Sequence, residues 1–551
     1  MNGMKGFLLC AAMLCLALAL TAQTPEWQWA VNAGGTGTDW GQFIALDSAG
    51  NQYVTGYFED TSSFGDYTLT SSGDKDIFVA KLDPAGNFLW AVKAGGTGWD
   101  EGRGVSVDFA GNAYLTGYFY GTASFGSHTL TSIGMSDIFA AKLDPVGNWL
   151  WAVSAGGILE DRGYGIAVDD AGNSFLTGYY DYTASFGTHT LNYIGYSDIF
   201  VAKLDPNGIW LGAVSAGGTS TYAFGNAIAV DAAGNTYITG CFEYTASFGD
   251  YTLTSSGNAD IFAAKLDPDG NWLWVSQAGG TLSESGLCIA LDSEGNAFLA
   301  GYFLGTASFG NYTLSGPVGF FEGFASKLDP NGNWLWAVNA EGSGYTCGTG
   351  FAVDGDGNAW LTGWFEGTAS FGTHTITSSG SRDIFATKLD PNGNWLWAVK
   401  AGGASGDYGE GIAVDGSGNA CLTGRSMGTA IFGPYSITSN GWVDIVAAKL
   451  SSGTPVDEDL IPEAAAFSRL YDAYPNPLRP GQTATITSNV AERETGILTV
   501  LNLRGQILSR HTLSPGSHQI PLASGNLPSG VYLYQLQTGT CSEVKKLVLL
   551  K

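Results

Sequence analysis

Charge is scarce in this chain. Asp, Glu, Lys and Arg make up 13% of 551 residues, and only 23 are basic against 50 acidic. The formal net charge of −27 repels phosphate backbones and anionic lipids, which excludes nucleic acid and membrane surfaces as partners. Histidine is rarer, five in all, so few side chains can serve as general base or zinc ligand. Long apolar runs are missing apart from Phe7 to Leu20, 14 residues, which is short for a membrane span. With Lys5 before it and Leu20-Thr21-Ala22 after it, residues 1–22 read as a signal peptide cleaved before Gln23. No segment shows sustained 3.6-residue periodicity with caps, which excludes helix as a main element. Cysteine is sparse as well. Beyond residue 22 it occurs at Cys241, Cys288, Cys347, Cys421 and Cys541. An odd number at non-recurring positions argues for isolated small apolar side chains, not a disulfide framework.

What the chain has in abundance is glycine, 81 residues, and aromatic rings, 13%. Together they point to turn-rich β-structure. The dipeptide Phe-Gly recurs at Phe64, Phe125, Phe186, Phe248, Phe309, Phe371 and Phe432, a repeat of about 61 residues. Each copy holds four strand-like runs. In the second they are Gly104 to Asp108, Asn112 to Phe119, Asp137 to Leu143 and Trp149 to Val153, with a long polar loop carrying Ser124-Phe125-Gly126 after the second run. The turns Asp108-Phe-Ala-Gly-Asn112 and Asp144-Pro-Val-Gly-Asn148 close antiparallel hairpins. The last copy stops at Leu450 without its fourth strand, and the chain begins with that strand, Trp27-Gln-Trp-Ala-Val31. A closed ring follows, with the N-terminal strand completing the last copy. The expected fold is therefore all-β: a seven-bladed β-propeller over 25–450, where radial repetition protects sheet edges. Aromatic pairs at i and i+2 of the fourth strand, such as Trp149/Trp151, fit packing between blades.

The repeat, read as GIAVDxxGNxYLTGYF…DIFxAKLDPxGNWLW, resembles the bacterial β-propeller repeats abbreviated SBBP and, more distantly, NHL-type blades. That resemblance implies a fold and no single activity. After a linker at 451–470 the composition shifts. Residues 471–551 carry Tyr474-Pro475-Asn476-Pro477, Gly530-Val-Tyr532-Leu-Tyr534 and a terminal Lys545-Lys546-Leu-Val-Leu-Leu-Lys551. This resembles the type A C-terminal sorting domain of type IX secretion cargo. The resemblance implies a small Ig-like β-sandwich, recognised by the secretion machinery, and delivery to the outer surface of a Gram-negative bacterium or to the medium.

Chemistry is hard to find in the repeats. Gly424-Arg-Ser426-Met-Gly428 fits the nucleophile-elbow pattern, but it ends a strand with no helix after it. His128, His189 and His374 share a repeat position with Tyr67, Tyr251, Tyr312 and Tyr435, as packing residues do. Asp354-Gly-Asp-Gly-Asn358 lacks the later ligands of a calcium loop. The acids opening the third strand, Asp76, Asp137, Asp198, Asp260, Asp383 and Asp444, with Glu322 in one copy, recur too regularly for catalysis and fit bonds to backbone N–H. The chain reads as a non-enzymatic, monomeric binding or adhesion module for an extracellular glycan or protein. A polysaccharide-active enzyme and a passive surface component are the alternatives. The candidate ligand residues are Asp39, Asp100, Asp161, Glu284 and Asp407, in register before each first strand, with Ala223 and Thr346 in the other two copies. As a partial ring at a channel mouth they would attract a divalent cation such as calcium or a cationic group, without a dedicated metal site or other cofactor. As turn residues they would only cap local backbone.

Overall fold

The computed structural model describes residues 25–452, except 220, 221 and 318, and most of 469–550, where 471–477, 479–482, 491–493, 505, 515, 524–526 and 539–541 are not described. Residues 1–24, which include the expected signal peptide, and residues 453–468 of the expected linker lie outside the described residues. The chain divides into two compact units at Thr454/Pro455. No helix occurs among the described residues.

The first unit is built from small antiparallel sheets, consistent with a β-propeller. Each of the first six repeats contributes four main strands joined in sequence. In the third these are Asp161–Val168, Ser174–Phe186, His189–Leu204 and Trp210–Ala216, each paired with the next. The turns form for the reason the sequence implies. Asp169 accepts bonds from the Ala171 and Asn173 backbone N–H groups, and Gly172 takes a φ of 81° that costs glycine nothing. The N-terminal strand Trp27–Gly35 pairs antiparallel with the third strand of the last repeat, Asp444–Leu450.

The long polar loop is not a loop. Its residues extend the second and third strands into a hairpin, with Thr183 opposite Asn192 and Phe186 opposite His189. Alternation of Thr, Ser and His with apolar residues suits a strand, and Gly187, at φ 60°, makes the tight turn. A bulge between Asp181 and Thr183 bends the hairpin, and the Phe186 ring lands on Phe200 and Trp210 at 5.0 and 5.2 Å. The hairpin also pairs with the end of the preceding fourth strand, as in Gly156 with Ser185 and Gly96 with Ala123. It thereby covers an edge that would otherwise be open.

Aromatic pairs of the fourth strand divide their work. The first ring, Trp149, packs on the hairpin Phe125 at 5.2 Å. The second, Trp151, reaches the next repeat, where its indole N–H bonds the Pro206 carbonyl at 3.0 Å. Trp29, Trp90, Trp274 and Trp336 make the equivalent bond. First strands of successive repeats run side by side, and the last meets the first. A Cβ on Gly411 would lie 3.2 Å from the Ile44 nitrogen.

In the second unit, Thr483–Val490 pairs with Gly516–Ala523 and Arg469–Leu470. A second sheet orders Ile507–Leu513, Gly496–Asn502, Gly530–Gln537 and Ser542–Leu549. Ile486, Leu498, Val500, Tyr534 and Leu547 share its core.

Candidate functional site

All first strands border one cavity of about 150 Å³. Its wall is apolar, from Phe43, Val105, Ile166, Ile228, Ile289, Phe351 and Ile412, with Thr349 and Glu410 the polar exceptions. Each first strand begins beside the link from the preceding repeat and opens with an x-Gly-x triplet, followed by a bulge. The second strand lies so close that a Cβ on Gly117 would sit 1.9 Å from the Glu101 carbonyl oxygen, which is why glycine recurs there. Around those glycines the repeat breaks down. The first strands present Trp40, Glu101, Arg162, Phe224, Ser285, Cys347 and Tyr408; opposite them stand Tyr57, Tyr118, Tyr179, Cys241, Tyr302, Trp364 and Arg425.

The four arginines of residues 25–450, Arg103, Arg162, Arg382 and Arg425, all belong to this cluster. The Arg425 guanidinium lies 3.4 Å from the Trp40 ring centroid and 4.2 Å from that of Tyr408. Arg382 covers Trp364 at 4.3 Å, Arg162 covers Tyr118 at 4.5 Å, and Arg103 lies 5.6 Å from Tyr164. Lys75 sits between Tyr57 and Trp99, 4.0 and 3.9 Å away. Planar guanidinium groups stack on aromatic faces in this way. Each cation also has a glutamate: Arg103 and Lys75 share Glu101 at 3.0 and 3.7 Å, Arg162 has Glu160 at 3.0 Å, Arg382 has Glu366 at 3.8 Å and Arg425 has Glu410 at 3.9 Å. Burial resists ionisation of Glu101, but Arg103, Trp99 and Lys75 override it and hold its carboxyl below the usual range. Burial prevails at Glu410 and pushes it up to about 7, against Arg425 and Arg103. Burial likewise raises the Tyr57, Tyr118 and Tyr179 hydroxyls, so these rings stay neutral.

The five acids expected at the mouth occupy the expected register, and the structure buries them completely or nearly so. Asp39 accepts bonds from the Gly35 and Glu59 N–H groups and the Ser62 hydroxyl. Asp100 takes Gly96 and Tyr120, Asp161 takes Gly157 and Asp181, Glu284 takes Gly280 and Asp407 takes Gly403. Each stands beside the acid that opens the preceding third strand. A Cβ on Gly95 would lie 2.7 Å from Asp76 Oδ1 and 2.9 Å from Asp100 Oδ2. The third-strand acids in turn hold the hairpin: Asp137 accepts from Ile133 N–H at 3.1 Å and Asp198 from Ile194 N–H at 2.6 Å. No group of three or more His, Cys, Asp or Glu able to hold a metal occurs among the described residues.

Tyr474, Pro475, Asn476 and Pro477 lie outside the described residues. Gly530 opens a strand in which Tyr532 is buried with its hydroxyl on the Pro528 carbonyl at 2.6 Å. Lys545 and Lys546 lie on the last strand, opposite Tyr534 and Leu533. Cys241, Cys288, Cys347 and Cys421 are free thiols, and Cys541 is not among the described residues.

The arginine cluster escaped the sequence reading, although a signal existed. In a stretch with only four arginines, each falls at or beside a position where the repeat consensus fails.

Residues 472–550 match the secretion system C-terminal sorting domain family. That match marks the second unit as a sorting domain for export by secretion machinery. An uncharacterized WD repeat-containing protein of Acanthamoeba polyphaga mimivirus is 27% identical over 421 residues, 61% of this chain; the chain spans 30% of that relative's length. Among solved structures, PorZ, an essential surface component of the type-IX secretion system of Porphyromonas gingivalis, is similar at 13% identity with a TM-score of 0.27, covering 92% of this chain and 74% of that one. A fungal alcohol oxidase of the AA5 family, in complex with copper, is similar at 10% identity with a TM-score of 0.31, covering 95% of this chain and all of that one.

Proposed function

We propose that this chain is a non-enzymatic binding protein, a seven-bladed β-propeller closed by its N-terminal strand and displayed at the surface of a Gram-negative bacterium by the type IX system. In this reading the second unit is an Ig-like sandwich that serves as the export signal, in keeping with its family match. A single observation carries the binding role. The repeat is nearly invariant where it packs, yet at the link end of the channel it yields to a cluster holding all the arginines of the propeller and many of its aromatic rings. Packing would favour the same residue in every copy, whereas recognition favours different ones on a rigid scaffold.

Cells of a type IX-competent host carrying the full chain should adhere to the extracellular material that the wild-type cells colonise. Deleting 471–551 should remove the protein from the surface and abolish adhesion. Replacing Arg103 and Arg425 with Ala should leave surface display intact and still abolish it. Adhesion by that displayed variant at the wild-type level would overturn the binding role, and surface display of the truncated chain would overturn the export signal.

A further inference from the structure

The cluster does not stop at the channel. From Tyr164 a line of rings leads outward across the third repeat. Tyr164 faces Tyr179 at 5.7 Å, and Tyr179 faces Phe224 at 5.1 Å. Two residues back from Phe224, Tyr222 stacks on Tyr196 with centroids 5.2 Å apart and planes 17° from parallel. Tyr196 is 60% exposed and Tyr222 43%. The fold does not ask for these outer rings. Three other repeats place Asp74, Asn258 and Ser381 where Tyr196 stands, while Phe320 and Trp442 put rings there. Thr38, Ser283 and Gly406 stand at the Tyr222 position, with Trp99 and Tyr345 its aromatic counterparts, and Phe320 meets Tyr345 edge-on instead of stacking. Two exposed tyrosines, stacked two residues along the chain from the end of that line, form a flat platform.

Charge at the channel end narrows what the platform can take. Five cations there share four glutamates within 4 Å, and Glu59 and Asp181 add negative charge near Lys75 and Arg162, so little positive charge is left for an anion. The molecule as a whole carries −27 and repels polyanions at long range. What remains open is hydrogen bonding of both kinds. The side chains of Arg103, Arg162, Arg382 and Arg425 are partly exposed and can donate, and those of Glu160 and Glu366 are partly exposed and can accept. A hydroxyl both donates and accepts, and the C–H face of a pyranose ring stacks on a flat aromatic surface.

We propose that the channel end and the platform through Tyr222 and Tyr196 form a groove for a neutral saccharide chain. This rests on the binding role above and gives it a ligand class. The sugar faces lie along the rings, and the hydroxyls of the inner residue meet the arginines and their glutamates.

The test uses the full mature chain on an array of neutral gluco-, manno-, galacto- and xylo-oligosaccharides, beside oligogalacturonate, hyaluronan and sialylated glycans. At least one neutral series should bind, with affinity rising with chain length and little changed when salt is raised to about 0.5 M. Tyr196→Ala with Tyr222→Ala, both exposed and so harmless to folding, should weaken binding about tenfold. Arg425→Ala should weaken it further. Phe109→Ala, an 80% exposed ring on a Gly-Asn turn at the other end of the strands, should change nothing. Binding confined to the acidic glycans, or no glycan bound, would overturn the ligand class. So would neutral binding indifferent to the tyrosine pair. If adhesion persists without glycan binding, the ligand class fails while the binding role stands.

Discussion

At the scale of single residues, the molecule is stitched by buried acids. Asp100, Asp161 and Glu284 are pushed up to about 7, and Asp39, Asp137 and Asp407 to about 6, with burial the largest cause in each and the neighbouring acid adding to it in all but Asp137. Carboxyls in an unfolded chain titrate near 4. A group raised above that value contributes its stability in full at low pH and loses it as pH rises through the folded value, here between about 5 and 8. The turn aspartates run the other way. At Asp83 and Asp144 burial resists ionisation slightly, but bonds from Asn87 and Asn148 hold the carboxyl low. Their contribution is lost as pH falls below about 4. Thermal stability should therefore peak near about pH 5 and decline toward about pH 8. Asp161→Asn keeps an acceptor for Gly157 and cannot ionise. Relative to the wild type it should gain about 1 to 3 kcal/mol between those two pH values. Melting temperatures measured across this range would contradict the argument if they stayed flat.

At the scale of elements, one repeat lacks the ring that the others use to reach their neighbour. The third has Gly212 where the other six have Trp. A Cβ there would meet nothing within 4 Å. Its neighbour offers the same receiving turn, with the Pro268 carbonyl bonded instead by Lys203 at 3.3 Å. Gly212→Trp fills the gap, restores an indole donor and removes a glycine from a strand interior. It should raise stability by about 1 to 2 kcal/mol, read as a higher melting temperature. A variant less stable than the wild type would mean that the neighbouring turn has closed over the site.

For the first unit as a whole, closure depends on the residues farthest apart in sequence. Trp29 pairs with Lys449 and Ala33 with Ile445, so the N-terminal strand is the fourth strand of the last repeat. Removing residues 25–35 bares the edge of Asp444–Leu450 and the hairpin contact with Ser62 and Ser63. An open strand edge recruits other chains. The truncated protein should melt at a lower temperature and form oligomers in size-exclusion chromatography. Retention of a wild-type melting temperature with a monomeric profile would separate the terminal strand from the stability of the ring.

The sequence by itself determined the repeat, its strands and turns, and the role of the N-terminal strand, because these rest on local chemistry repeated many times. Asp bonds the backbone four residues on, Gly takes a positive φ, and alternating side chains face two sides of a strand. It also determined the acids that cap backbone, through their regularity. Two features waited for the tertiary structure. The Phe-Gly segment is a hairpin and not a loop, because its phenylalanine finds a pocket among Phe200 and Trp210 that only folding assembles. The cluster at the channel end unites Arg425 with Trp40 and Glu410, residues drawn from the two ends of the first unit. Their proximity arises from a ring whose last strand meets its first, and no window of sequence contains it.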